Sequence, residues 1–78
     1  MDETFSVCQF LADDTYEYVR RYVSLDEAIK AFKHYSSSVA VTLGYVTRVI
    51  ITDTGDSIVA EWIYGKGITY PTKEDEPM

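Results

Sequence analysis

Residues 24–44, which read SLDEAIKAFKHYSSSVAVTLG, decide the fold of this 78-residue chain. The opening tetrad fits a capping box, in which the Ser24 hydroxyl accepts a hydrogen bond from the Glu27 amide and the Glu27 carboxylate reaches back. Apolar residues then recur at steps of three and four, the spacing of one face of a helix. Gly44 follows where a helix ends in the left-handed conformation that glycine adopts without steric cost. The stretch predicts one amphipathic helix over residues 25–43.

Three serines interrupt the apolar stripe of this helix. The members of the stripe are Ala28, Ile29, Phe32, Tyr35, Val39, Ala40 and Leu43. The hydroxyls of Ser36, Ser37 and Ser38 compete for backbone hydrogen bonds, which could end the helix early and leave residues 39–43 extended. Because the stripe passes through the serines without losing phase, we favour the long helix over this alternative.

Two pairs of strand-like segments flank the helix. Residues 4–11 and 16–23 are rich in β-branched and aromatic residues, and the polar turn between them completes a predicted hairpin. Residues 45–52 and 57–64 form a second predicted hairpin after the helix. Its loop is expected to hold Gly55 in the left-handed position that follows a type I turn.

The element order β-β-α-β-β predicts an α+β fold. The helix returns the chain along the sheet, so we expect a four-stranded antiparallel sheet of order 2-1-3-4 with the helix packed on one face. The other face must then be wet or bound to something. We predict one domain over residues 1–70, with a short extended piece at 68–70, and a disordered acidic tail over residues 71–78, PTKEDEPM.

The charge of the chain excludes several classes of partner. Thirteen acidic and seven basic residues give a net charge of −6, and 14% of the residues are aromatic. Such acidity opposes direct nucleic-acid binding and contact with anionic lipids. The apolar runs are far shorter than the ~20 residues that span a bilayer. The acidic start, Met1-Asp2-Glu3, lacks the basic region of an export signal, so we expect a cytoplasmic protein without membrane contact.

The chain has one cysteine, Cys8, and one histidine, His34. A single cysteine forms no internal disulfide, and the two residues together are too few for a structural zinc site. A catalytic dyad would need them within hydrogen-bond reach, whereas Cys8 lies in a predicted strand and His34 on the polar side of the predicted helix. We therefore expect no enzymatic activity.

The carboxylates give no metal or cofactor motif. Asp13 and Asp14 occupy one predicted turn and Asp53 and Asp56 another, but neither pair has the alternating spacing of a calcium loop. Aspartate in a turn is already explained by bonds from its side chain to nearby backbone amides. The GKG segment at 65–67 is too short for a phosphate-binding loop. We expect no cofactor.

Acidic and aromatic residues are the candidates for contact with a partner. The acidic candidates at hairpin tips and strand ends are Asp13, Asp14, Glu17, Asp53, Asp56 and Glu61, and Asp2 and Glu3 join them at the start of the chain. The aromatic candidates are Tyr16, Tyr18 and Tyr22 on one side of strand two, with Trp62 and Tyr64 on one side of strand four. Strand alternation places Ile58 and Ala60 with Trp62, and Val59 and Ile63 on the opposite side. Ordinary solubility charge and tyrosines that only stabilise a small sheet are the alternatives.

In small size, acidity, absence of catalytic or metal motifs and a compact α+β pattern, the chain resembles the small phage-borne inhibitors of the anti-CRISPR kind. The resemblance is one of general character, and no aligned motif or residue is carried over. It implies a non-catalytic inhibitor that occludes a surface of a partner protein or mimics nucleic acid. The acidity of the chain favours a partner surface that is basic and binds nucleic acid. The alternative is a self-associating accessory domain whose aromatic sheet face is a homodimer interface, since a core this small gains from added buried area.

Overall fold

The computed structural model describes residues 4–70, and the tail predicted over residues 71–78 lies outside them, as do Asp2 and Glu3. The elements are β1 (Phe5–Leu11), β2 (Tyr16–Val23), α1 (Leu25–Ser36), α2 (Val39–Thr42), β3 (Val46–Thr52), β4 (Ile58–Ile63) and β5 (Gly67–Tyr70). The strands form one sheet of order β2-β1-β3-β4-β5, and each neighbouring pair is antiparallel. The α+β class, the antiparallel sheet and the predicted order of the first four strands are confirmed.

The prediction of four strands was one too few. The short extended piece expected near the end of the domain forms β5, which pairs with β4 as an edge strand. A tight turn connects them, in which the Lys66 amide donates to the Ile63 carbonyl at 2.9 Å and Gly65 has a φ of +85°. The four residues of β5 are too few to show a strand period in the sequence.

The prediction of one helix over residues 25–43 was also wrong, because α1 ends at Ser36. The Ser37 hydroxyl donates to the Lys33 carbonyl at 2.7 Å, and the Ser38 hydroxyl donates to the Tyr35 carbonyl at 3.3 Å. The serines thus satisfy the last carbonyls of α1 and end it, as the alternative held. The residues after them form the separate short helix α2 and are not extended.

The positions of both outer ends of the helical region match the sequence prediction. The Ser24 side chain caps α1 by accepting a hydrogen bond from the Glu27 amide at 3.2 Å. Gly44 ends α2 with a φ of +82°. Its amide donates to the Val41 carbonyl at 2.9 Å, and the Tyr45 amide donates to the Ala40 carbonyl at 2.8 Å. These two bonds are those of a Schellman motif.

The core lies between the helices and one face of the sheet. The sheet contributes Val7, Val46, Val49 and Ile51 to this core, and the helices contribute Ala28, Ala31, Phe32 and Val41. Helix α1 packs over β1, β2 and β3, and α2 packs against β3. Within residues 4–70 no helix covers the opposite side of the sheet, which we call the open face. The helix break changes which residues are buried, since Val41 enters the core while Val39 and Leu43 are exposed.

The turn between β3 and β4 lies one residue later than predicted. The Asp56 amide donates to the Asp53 carbonyl at 3.0 Å, and Asp56, not Gly55, has the left-handed conformation, with a φ of 66°. Asp53 fixes this register, because its Oδ1 accepts hydrogen bonds from the Gly55 and Ser57 amides at 2.9 and 3.0 Å. Aspartate tolerates the left-handed region better than most residues. Asp14 has the same conformation, with a φ of 75°, in the turn between β1 and β2.

Candidate functional site

The open face carries a row of aromatic side chains on its β1 and β2 side. Directly paired residues of an antiparallel sheet share a face, and Phe10 pairs with Tyr16 while Cys8 pairs with Tyr18. The ring centroids of Phe10 and Tyr16 are 5.7 Å apart, and those of Tyr16 and Tyr18 are 6.2 Å apart. Tyr16 and Tyr18 are exposed. We call Phe10, Tyr16 and Tyr18 the aromatic row.

Next to the aromatic row, on the β3 and β4 side of the open face, Arg48 and Glu61 form an ion pair. Arg48 lies 5.0 Å from the ring centroid of Phe10, and its Nε donates to Glu61 Oε2 at 2.5 Å. The Thr69 hydroxyl donates to the other oxygen of Glu61 at 2.9 Å. Burial alone would raise the pKa of the Glu61 carboxyl, but the hydrogen bonds from Thr69 and Arg48 outweigh it and hold that pKa below its usual value. Because the Arg48 guanidinium neutralises the Glu61 carboxylate, Glu61 is a weak contact for a cationic partner.

A groove of about 400 Å³ opens at the end of the open face where the β3–β4 turn meets the end of β2. Its lining combines aromatic, charged and hydroxyl side chains. The lining residues are Thr4, Ser6, Tyr18, Arg21, Tyr22, Thr52, Asp53, Thr54 and Asp56. The groove brings together four of the predicted contact residues, two tyrosines and two aspartates, which lie on different hairpins. Sequence reasoning missed Arg21 and the hydroxyl residues.

An irregularity in β2 shapes this groove. Val7 pairs with Arg20 and Phe5 pairs with Val23, so two residues of β2, Arg21 and Tyr22, stand opposite the single residue Ser6. Tyr22 has a φ of 57°, which is rare for a bulky residue and costs of order 1–3 kcal/mol. The Tyr22 amide faces the Ser6 hydroxyl at 3.5 Å. Strained residues of this kind cluster at binding sites and bulges.

Arg21 is held against two aromatic rings of the groove. Its guanidinium carbon lies 4.3 Å from the ring centroid of Tyr18 and 5.1 Å from that of Tyr22. A terminal nitrogen of Arg21 donates to the Tyr22 hydroxyl at 3.1 Å. The groove thus already holds a cation on the faces of its tyrosines.

The two aspartates give the groove a negative charge without a cationic partner in the described chain. Asp53 is half-buried, and one of its oxygens accepts the two turn amides, whereas Asp56 is exposed. Neither forms an ion pair with a lysine or arginine of residues 4–70. Two carboxylates and one guanidinium leave the groove with an excess of negative charge, which favours a cationic ligand.

Three of the acidic candidates lie at the opposite end of the sheet. Asp13 and Asp14 form the β1–β2 turn, and Glu17 follows them on β2. The seven residues of β1 separate this turn from the groove by roughly 20 Å. Hydrogen bonds from the Thr15 hydroxyl and amide, at 2.6 and 3.1 Å, lower the pKa of the exposed Asp13 carboxyl. The six acidic candidates therefore do not form one continuous surface.

The aromatic candidates of strand four are separated from those of strand two. Trp62 pairs with Val49 and packs against the core on the helix side, so it is not on the open face. Tyr64 lies exposed in the β4–β5 turn, where its amide donates to the Thr47 carbonyl at 3.0 Å. The predicted alternation also breaks at a register shift, which pairs Ile58 with Thr52 on the open face, away from Trp62. No local feature of the sequence predicts that register shift.

The described residues hold neither a metal centre nor a nucleophile in an activating environment. No group of three or more His, Cys, Asp or Glu residues within 4–70 converges on a possible metal position. Burial raises the pKa of the Cys8 thiol, which keeps it protonated at neutral pH. None of the helices in this part of the chain has the length and apolar content needed to cross a bilayer.

Comparison of the chain with protein-family models, curated proteins and solved structures finds no match. What the chain binds is therefore inferred from the chemistry of the groove.

The folded body is much less acidic than the chain as a whole. Residues 4–70 contain eight acidic and six basic residues, a net charge of −2, against −6 for all 78 residues. The remaining negative charge belongs to the two terminal segments. The excess that the body does carry is concentrated at its two turns, one of which forms the groove.

Proposed function

We propose that the protein is a non-catalytic interaction module that binds a positively charged segment of a partner protein in the groove. The observation that carries this proposal is the convergence of Asp53 and Asp56 with Tyr18 and Tyr22 at one end of the open face. Carboxylates attract a cationic segment, and exposed tyrosines supply contact area at low entropic cost. A partner whose basic segment binds nucleic acid would be inhibited, because the module would occupy the place of the phosphates.

The charge distribution favours local docking over mimicry of an extended nucleic acid. Such mimicry needs anions spaced along a surface, whereas the aspartates at the ends of the sheet lie in two turns roughly 20 Å apart. Glu61, between them, is neutralised by Arg48. Asp26 and Glu27 lie in the first turn of α1, on the other side of the sheet. The proposed contact is therefore the groove and the adjoining aromatic row.

The two turns provide a test with a matched control. Asp53→Asn with Asp56→Asn removes two charges from the groove, and Asp13→Asn with Asp14→Asn removes two from the opposite turn. Asparagine retains the oxygen that accepts turn amides and tolerates the left-handed conformation, so both variants should fold. Partners captured from the native host by the wild type are identified, and the affinity of each purified partner is then measured with both variants.

We expect the groove variant to bind a partner about five- to thirty-fold more weakly, a loss of about 1–2 kcal/mol, while the control variant binds like the wild type. Equal binding by both variants would show that the charge of the groove is not used. A captured protein supports the proposal only if it passes this comparison, because lysate capture alone does not distinguish specific partners.

The aromatic row keeps the homodimer as a second candidate. Tyr16 is 62% exposed and contacts both Phe10 and Tyr18 on a face that no helix of residues 4–70 covers. Sedimentation velocity at increasing protein concentration tests it, with Tyr16→Ser as the variant that should dissociate a dimer. Trp62→Ala does not serve this purpose, since Trp62 packs towards the helices. A wild type that stays monomeric at the highest concentration would remove this candidate.

A further inference from the structure

We propose that the groove is a site for an arginine side chain of the partner and that Arg21 occupies this site in the free protein. The inference rests on the proposed function, because it names the chemical group that the groove receives. The guanidinium of the partner takes the tyrosine faces that Arg21 covers, which makes Arg21 an internal competitor of the partner.

The contacts of Arg21 show what the site accepts. Its guanidinium lies 4.3 Å from the ring centroid of Tyr18 and donates to the Tyr22 hydroxyl at 3.1 Å. Planar stacking and hydrogen bonding in one group are properties of guanidinium, whereas lysine offers a point charge. Arg21 is also exposed and forms no ion pair within residues 4–70, so a second cation has to displace only exposed contacts with the two tyrosines.

The remaining lining fits a cation better than an anion. Asp53 and Asp56 outnumber the positive charge of Arg21. The lining also includes the hydroxyl residues Thr4, Ser6, Thr52 and Thr54, which can accept further hydrogen bonds from the five N–H donors of a guanidinium. When an incoming arginine displaces Arg21, an exposed guanidinium that forms no ion pair is replaced by one that both aspartates attract.

The test uses the capped peptide acetyl-Gly-Arg-Gly-amide as the probe and follows the backbone amide signals of the full chain by NMR. Arg21→Gln removes the competitor, and Arg20→Gln is the matched control. The Arg20→Gln substitution changes the net charge by the same amount. The Arg20 guanidinium, however, lies 5.8 Å from the ring centroid of Tyr35, on the helix side of the sheet. The spectra also show whether each variant keeps the sheet intact.

We expect Arg21→Gln to bind the probe about two- to five-fold more tightly than Arg20→Gln, a difference of the size of an exposed cation–π interaction. Amides of the groove should shift, and the citrulline peptide, which has the same shape without the charge, should not bind. Equal affinities of the two variants, or weaker binding by Arg21→Gln, would overturn the competitor. Absence of groove shifts with the arginine probe up to its solubility limit would overturn the arginine site.

The same titration separates this inference from the function on which it rests. If the Asp53→Asn, Asp56→Asn variant binds the probe more weakly while the two arginine variants bind alike, the cation site stands and the competition fails. If the probe does not bind but a partner still depends on both aspartates, the groove binds its partner by another group. Loss of the aspartate dependence in both assays refutes the proposed function itself.

Discussion

Glu61 lies half-buried on the open face between Arg48 and Thr69, and both residues bond to its carboxylate. Its acidity makes it a candidate for partner contact, but it lies inside β4, where its neighbours make it a stabilising group. A carboxyl whose pKa is lowered in the folded state contributes stability above its unfolded pKa. That contribution is lost as the pH falls through the folded pKa.

Glu61→Gln should therefore destabilise the protein at neutral pH and much less in acid. We expect a loss of about 1–2 kcal/mol at pH 7, because Arg48 then has a neutral partner, and a smaller difference well below the ordinary pKa of 4.5. Urea unfolding at both pH values measures it. Glu17→Gln is the control, since Glu17 is exposed and accepts a hydrogen bond from the side-chain amide of Gln9 at 3.3 Å. A Glu61→Gln deficit that is the same at both pH values would contradict this assignment.

At the scale of the element, the start of α1 depends on one side chain. The Ser24 hydroxyl accepts from the Glu27 amide at 3.2 Å, which satisfies one of the amides that a helix leaves unpaired at its first turn.

Ser24→Ala should lower the free energy of unfolding by about 1 kcal/mol. Ser36→Ala should have no effect or stabilise slightly, because Ser36 lies inside the last turn of α1 and its hydroxyl donates back to the Lys33 carbonyl at 3.4 Å. Thermal and urea unfolding of the two variants measure the difference. A Ser24→Ala loss no larger than that of Ser36→Ala would show that the capping bond contributes no more than an ordinary helix serine.

The sequence predicted those elements whose signals are local. The capping serine and Gly44 each act through bonds within a few residues, and both were recognised. The end of α1 was missed because two local signals disagreed there, and the serine hydroxyls prevailed over the apolar period. The fifth strand was missed because pairing with β4, not its own period, makes β5 a strand.

Only those parts of the candidate site that have local signals were predicted from the sequence. Turn residues such as Asp53 and Asp56 are visible in the sequence, and so is the tyrosine period of strand two. Their convergence with Arg21 depends on the irregular pairing of β1 with β2 and on which turns share one end of the sheet. These are non-local properties, which no spacing rule provides. The same limit applies to Trp62, which was predicted to share a face with Ile58. A register shift in β4 places Ile58 on the open face and leaves Trp62 on the helix side.

At the scale of the whole molecule, composition overstated the acidity of the folded body. The net charge of −6 belongs to the chain, whereas residues 4–70 carry −2. Screening by salt then decides which of these charges act on a ligand in the groove. The Debye length is about 8 Å at physiological ionic strength and about 30 Å at 0.01 M, and the Asp13 turn lies roughly 20 Å away.

Salt should therefore separate the two acidic turns. At about 10 mM salt, neutralising either turn with asparagine should weaken binding of the arginine probe, since both lie within one Debye length of the groove. At about 150 mM salt, the Asp53→Asn, Asp56→Asn variant should remain weaker than the wild type, whereas the Asp13→Asn, Asp14→Asn variant should match it. NMR titrations at the two salt concentrations measure this. If both variants lost affinity equally at the higher concentration, the attraction would come from the overall charge, and the groove would not be the site that the probe recognises.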